Sequence, residues 1–361
     1  MIEHAEIIPL PAVDWGGDDI RDVTLLELRT PEGVTGLGSA YTGVNKVRDA
    51  MAHYQQDPWS LHSSDAETTI AMSAIDIALW DIRGKEENRP VSELLGGRLR
   101  DRVLAYASVD LPLTSARTGD AFEQILLLVM DQGFKAIKLC IENFGHRNTR
   151  NRHKSDKEWD RYEASLLRYG RKIVGNDIQL MLDVYGSDPE WTPEFDWALK
   201  TAKVLEELDF LWFEEPLSPR NFDDFARLTE TTSIAIAGAE HFVLLQDFEN
   251  VANQKAVNIL QPDCTRVGGL TQMQAIRNAA NENNLYVIPH GWNTAVGLAA
   301  DLQFQATVAN DKYCMVEFWL HRTITDLLKD NPFALDDEGK ITVPTGPGLG
   351  VALNDKFDAW K

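Results

Sequence analysis

The chain has 361 residues, 44% of them hydrophobic and 25% charged, which is a globular composition. Its net charge of −21 argues against a nucleic-acid partner, because phosphate-backbone binding depends on Lys and Arg. No apolar run approaches the roughly 20 residues that a membrane span requires, so no membrane partner is expected either.

The first residues, MIEHAE, carry acids where a secretory signal would carry Lys or Arg, and the expected compartment is cytoplasmic. Cys140, Cys264 and Cys314 are too far apart, and odd in number, for a disulfide framework or a zinc knuckle. A (β/α) barrel takes about 250 residues, so the length suggests a barrel and a smaller domain.

In chain order, residues 1–100 read as α+β material. A strand at 23–29 leads through the turn signal TPEG into GLGSA at 36–40, and 70–83 is an apolar helix. From 101 to 328 short apolar runs alternate with amphipathic helices, the pattern of a parallel sheet. The runs are 103–107, 136–140, 179–183, 210–214, 234–238, 257–261, 285–289 and 314–317, and eight strands close a (β/α)8 TIM barrel. Helical periodicity marks 120–131, 159–174, 194–208 and 271–283. The polar stretch HRNTRNRHKSDK at 146–157 reads as a long loop able to cover a site. Residues 329–361 hold short strand-like pieces and the turn-rich PTGPGLG, too little apolar material to fold alone, and are expected to pack on the N-terminal domain.

Three of the runs end in or lead into carboxylates, Asp183, Glu214 and Glu240, at the barrel face where active sites form. A strand-end acid can simply cap the next helix. Three on neighbouring strands fit the oxygen ligands of a hard dication such as magnesium. The next two runs end in QPD and PHG, which puts Asp263 beside His290. A lone histidine there is commonly structural, but a carboxylate beside it would orient the ring and raise its basicity, as a general base near neutral pH requires.

Together these residues resemble the mandelate racemase-like branch of the enolase superfamily. The resemblance rests on SAIDIALWDIRGK at 73–85, then Asp183, EEP at 214–216, GAE at 238–240, QPD at 261–263, Gly268-Gly269, His290 and Glu317. It implies a modified TIM barrel under an α+β capping domain built from the N-terminal region and the C-terminal tail. It implies that Asp183, Glu214 and Glu240 bind magnesium and that the Asp263–His290 dyad moves a proton. It also implies that Glu317 hydrogen-bonds an enediolate and that Lys138 helps neutralise the substrate carboxylate. One departure stands out: the family's second barrel strand commonly ends Lys-x-Lys, and here it reads Lys138-Leu139-Cys140. His146 could substitute for the missing base, or be a solvated loop residue. Substrate choice would lie with capping-domain loops around 11–20 and 40–45. Trp15, Tyr41, Thr42 and Trp292 are the candidate pocket residues, each of which could equally be interdomain packing.

The expected activity is a sugar-acid dehydratase working through α-proton abstraction to a 2-keto-3-deoxy acid. A racemase or epimerase, a lactone cycloisomerase, and a barrel that binds a metal-carboxylate ligand without turnover are the alternatives. The expected partners are a small-molecule carboxylate and further copies of the chain in a homo-oligomer.

Overall fold

The structure, a computed structural model, describes residues 2–10, 22–56, 64–112, 119–142, 156–188, 192–319 and 327–355. The candidates Trp15 and His146 and the loop 11–20 lie outside them, and of the stretch 146–157 only its last two residues are described, already in a helix.

The N-terminal unit is a three-stranded antiparallel sheet of β1 (His4–Pro9), β2 (Thr24–Arg29) and β3 (Thr35–Ala40), with α1 (Val44–Gln56), α2 (Ala66–Glu86) and the short α3 (Val91–Leu94). Asp65 caps α2 by accepting from the Thr68 amide at 2.8 Å. The small residues of β3 allow α2 to lie directly on the sheet. A Cβ at Gly36 would stand 2.2 Å from the Ala78 carbonyl oxygen, and one at Gly38 only 1.8 Å from that of Ala74. Two glycines spaced by the strand period thus meet two alanines spaced by a helix turn.

The barrel strands are β4 (Arg102–Pro112), β5 (Ala136–Glu142), β6 (Gln179–Asp183), β7 (Trp212–Glu214), β8 (Ala235–Gly238), β9 (Ile259–Leu260), β10 (Tyr286–Val287) and β11 (Met315–Trp319). They run parallel in the order β10-β9-β8-β7-β6-β5-β4-β11. The crossover helices are α4 (Gly119–Asp131), α5 (Asp156–Val174), α6 (Phe195–Glu207), α7 (Phe222–Thr231), α8 (Leu245–Asn253), α9 (Gly269–Glu282) and α10 (Ala295–Gln305).

Among the described residues no ladder joins β10 to β11; side chains close that seam. Gln305 Nε2 donates to the Val287 carbonyl at 3.1 Å, and the Gly291 amide donates to Glu317 Oε2 at 2.7 Å. Gly291 has to be glycine for this approach, since a Cβ there would lie 2.6 Å from Glu317 Cβ. The tail touches both units. β12 (Lys340–Thr342) pairs antiparallel with the start of β4, while Gly348 accepts from the Val91 amide and the Leu349 amide donates to Asp81 on α2. Among the described residues no helix is long and apolar enough to cross a membrane.

The barrel interior is layered by the two-residue period of its strands. Tyr106, Ala136, Met181, Trp212, Ile259 and Met315 form one apolar cluster. Two residues further along each strand path stand Ser108, Lys138, Asp183, Glu214, Gln261 and Glu317, all buried. The apolar plug therefore carries a polar layer at the carboxyl-terminal end.

Candidate active site

Lys138 is the hub of the polar layer. Its ammonium is buried, 2.5 Å from Glu214 Oε1, 3.0 Å from Glu317 Oε1 and 3.5 Å from Asp183 Oδ2. Burial pulls its pKa down, but these carboxylates outweigh burial and leave it well above the ordinary lysine value. Glu214 is fixed on its other oxygen by Trp212 Nε1 and Gln261 Nε2, each at 2.8 Å. Glu317 is fixed by the Ser108 hydroxyl on one oxygen and the Gly291 amide on the other.

The chain turns sharply as it leaves these strands. Tyr185, Glu215 and Ala239 have φ of 53°, 44° and 81°, left-handed values that cost a residue with a Cβ and are held by the surroundings. They flank Asp183, Glu214 and Glu240, whose carboxylates offer ligand atoms within 4.8 Å of one another. Burial and then the neighbouring Glu214 push the Asp183 carboxyl far above its usual range, and burial also raises Glu214. Burial acts on Glu240 in the same direction, but His290 and His241 overcome it and hold that carboxyl well below its usual value. Glu240 Oε2 is buried and has no hydrogen-bond partner among the described residues. An all-oxygen donor set with a buried orphan oxygen fits a hard divalent cation, and this cluster could hold one.

Next to the cluster, His290 Nδ1 lies 2.9 Å from Asp263 Oδ2, and His290 Nε2 lies 3.9 Å from Glu240 Oε1. Asp263 is oriented in turn by the Thr265 amide and hydroxyl, at 2.8 and 2.7 Å on Oδ1. Burial lowers the imidazole pKa, but Glu240, Asp263 and Glu317 raise it to about 9. The ring can therefore hold a proton and, when it has none, take one.

The remaining candidates are placed differently. The Tyr41 amide donates to the Thr265 carbonyl at 3.1 Å, and the Arg266 guanidinium lies 5.5 Å from its ring, so Tyr41 docks the N-terminal unit onto the turn that carries the dyad. The Thr42 carbonyl accepts from the Thr24 hydroxyl at 2.7 Å, which braces the same loop. Trp292 is half-buried directly after Gly291. Cys140, buried on the inward face of β5, has its sulfur 3.9 Å from the Lys138 carbonyl oxygen. Sequence reasoning left out Ser108, Trp212 and Thr265 as supports of the acids; the strand period marks the first two. It also left out His241 and Ser187 at the rim, which come into place only through tertiary packing.

Residues 121–357 match the family described as enolase C-terminal domain-like, and 44–96 match the mandelate racemase / muconate lactonizing enzyme N-terminal domain. The chain belongs to the mandelate racemase-like branch of the enolase superfamily. The enzyme is 31% identical to D-galactarolactone cycloisomerase of Agrobacterium fabrum, an alignment that covers 98% of this chain and 94% of that one. It is 26% identical to D-xylonate dehydratase of Haloferax volcanii, over 91% of this chain and 83% of that one. Among solved structures, the 3,6-anhydro-D-galactonate cycloisomerase of Zobellia galactanivorans superposes with a TM-score of 0.78 at 26% identity, covering 99% of each chain. Relatives of this enzyme thus include both dehydratases and cycloisomerases.

Proposed function

We propose that the enzyme is a magnesium-dependent dehydratase of a sugar acid, an aldonate or aldarate, and releases a 2-keto-3-deoxy acid. The observation that carries this reading is that, among the described residues, one histidine–carboxylate dyad stands at the cluster. His290 is oriented by Asp263 beside the carboxylate cluster, while the inward position two residues beyond Lys138 holds a buried thiol in place of a second lysine. Racemisation needs a base on each face of the reacting carbon, whereas elimination can proceed with one.

In this reading Asp183, Glu214 and Glu240 hold magnesium, which would supply Lewis-acid neutralisation of the charge that develops on the substrate carboxylate. Enzymes of this superfamily pair a Lys or His base with magnesium, and His290 beside the carboxylate cluster offers the same pairing. Lys138 adds a fixed positive charge next to the same carboxylate. His290, in its neutral form, takes the α-proton onto Nε2 and so becomes the acid that protonates the departing β-hydroxyl, which leaves as water. The resulting enol takes up a proton at carbon, gives up its hydroxyl proton and becomes the keto acid. Glu317, fixed on both oxygens by Ser108 and Gly291, holds the Lys138 ammonium in place.

The resemblance to D-galactarolactone cycloisomerase favours a second reading, a lactone cycloisomerase that begins with the same proton abstraction. A panel of aldonic acids, aldaric acids and their lactones, incubated with enzyme and magnesium, separates the two. A 2-keto-3-deoxy acid from an open-chain substrate supports the dehydratase. Product from lactones alone selects the cycloisomerase, and a changed optical rotation without any keto acid selects a racemase or epimerase.

A further inference from the structure

The rim carries a second group of metal-ligating side chains beside the first. Two pairs of neighbours stand there, Glu214-Glu215 at the end of β7 and Glu240-His241 just after β8, and the first member of each pair belongs to the Asp183 cluster. The second members meet each other. Glu215, Glu240 and His241 offer donor atoms that all lie within 4.8 Å of one another, so Glu240 is common to both groups.

The contacts of this second group converge on one atom. His241 Nε2 lies 2.7 Å from the Ser187 hydroxyl, 3.2 Å from Glu240 Oε1 and 3.5 Å from Glu215 Oε2. A ring nitrogen carries either one hydrogen or one lone pair, so it cannot serve three oxygens at once. A cation among them can. Donors held about 2.0–2.2 Å from an ion in a tetrahedral array stand about 3.3–3.6 Å apart, close to the two carboxylate separations. The Ser187 hydroxyl also donates to Glu215 Oε2 at 2.6 Å, which turns that carboxylate toward the ring. An independent observation points the same way. Glu215 is 1% exposed, and its other oxygen, Oε1, is buried with no hydrogen-bond partner among the described residues. Such an oxygen calls for a ligand. Ser187 and His241 line a cavity of about 600 Å³, which gives an ion and its waters a way in.

We infer that Glu215, Glu240 and His241 form a second cation site, one for a transition-metal dication such as zinc. Mixed imidazole and carboxylate donors suit that ion, whereas the all-oxygen cluster suits a hard one. Two carboxylates and a neutral imidazole also match its charge. Glu240 links the two sites, so occupancy of one is felt at the other. The second site does not depend on the magnesium reading of the cluster, because neither Asp183 nor Glu214 is among its donors.

Calorimetry tests the site by stoichiometry, not turnover: enzyme stripped with a chelator and resaturated with magnesium is titrated with zinc chloride. One equivalent of zinc is expected. His241→Ala, at a side chain 33% exposed, should abolish it, and Asp183→Asn should keep it. Glu215→Gln, nearly isosteric, should weaken it by about tenfold or more, a loss that even the partners of metal ligands cause. Zinc soaked into crystals of the wild-type enzyme and located by its anomalous scattering gives a check that needs no variant, the ion being expected at about 2.0–2.1 Å from His241 Nε2. The inference is overturned by the absence of a zinc equivalent, or by one that His241→Ala or Glu215→Gln leaves unchanged. It is equally overturned by zinc lost in Asp183→Asn or seated among Asp183, Glu214 and Glu240 alone, since zinc has then only displaced magnesium. Zinc binding as expected, in an enzyme that takes up no magnesium, supports the second site while the magnesium reading fails.

Discussion

On α2, Asp81 is fully enclosed and both its oxygens are engaged. Oδ2 accepts from the Leu37 amide at 2.9 Å and Lys85 Nζ at 2.7 Å, and Oδ1 from the Leu349 amide at 2.8 Å. One carboxylate thereby ties the sheet, the helix and the C-terminal tail together. Asp76, one turn earlier, accepts from the amide and hydroxyl of Thr271 on α9 and so joins the same helix to the barrel. At the barrel rim the carboxylates are equally buried but less completely satisfied: among the described residues Glu240 Oε2 and Glu215 Oε1 have no hydrogen-bond partner, and three of the acids share a single lysine. Burial of an unsatisfied charge is costly, and a bound cation is one way to offset it. The contrast teaches that saturation, more than burial, separates carboxylates that hold the fold together from those that await a ligand.

The contrast predicts opposite phenotypes. The largest expected effect is on chemistry at the rim: His290→Asn should lower turnover of the true substrate by about 10²–10⁴-fold, the usual contribution of a general acid or base, with cooperative unfolding retained. A variant that turns over at near wild-type rate would remove His290 from the mechanism. Glu240→Gln should weaken magnesium binding by about tenfold or more, because a ligand charge is lost, and leave thermal stability without metal close to wild type. Metal titration and melting curves on the same sample check both halves. Melting as low as an Asp81 variant would erase the distinction between the two regions.

Asp81→Ala should show the reverse, a loss of stability of about 3 kcal/mol or more, since two buried amides and a lysine lose their acceptor. Chemical denaturation measures that loss, while the dyad, distant in sequence and untouched by Asp81, should keep its turnover in the folded fraction. Asp301 on α10 offers a subtler case. It is buried, accepts from Asn293 Nδ2 at 3.1 Å, and is pushed by burial and then by Asp263 from 3.8 to about 8. The folded enzyme therefore keeps a proton that the unfolded chain releases, so across that interval the unfolded state binds fewer protons and stability falls as pH rises. Asp301→Asn should flatten the melting temperature against pH over the same interval and raise it at the alkaline end. An unchanged slope would mean that Asp301 is ionised in the fold.

The rim is largely legible in the sequence because barrel strands have a period of two and end at the active face. Those two rules suffice to place Asp183, Glu214 and Glu317, and the short motifs QPD and PHG place Asp263 and His290. What they do not supply is reach across the chain. The run at 103–107 stops one residue short of Ser108, whereas β4 continues to Pro112, so a support of Glu317 falls outside it. The runs at 257–261 and 285–289 shrink to two ladder residues each, ahead of Pro262 and Pro289, which lack an amide to donate. Nothing local separates Asp81 from Asp183, since both are acids in apolar surroundings; which oxygens find donors depends on Leu37 and Leu349, far away in sequence. Tyr41 illustrates the same limit: its place in a capping loop is readable, its hydrogen bond to the dyad's turn is not.

The smallest expected effect sharpens the contrast within the rim itself. Cys140 lies on β5 two residues after Lys138, registered beside Asp183 on β6, at a position where the family commonly has a basic residue. A thiol acts as a base only as the thiolate, which needs a cationic setting. The nearby cation, Lys138, is already surrounded by Glu214, Glu317 and Asp183. Cys140→Ala should therefore keep most of the turnover, its main cost being the small cavity left in a packed barrel. Steady-state kinetics beside His290→Asn, with folding and magnesium binding measured on both, makes the comparison. A loss in Cys140→Ala as severe as in His290→Asn, in a protein still folded and metal-bound, would establish a working group on the second face and raise the racemase or epimerase above the dehydratase.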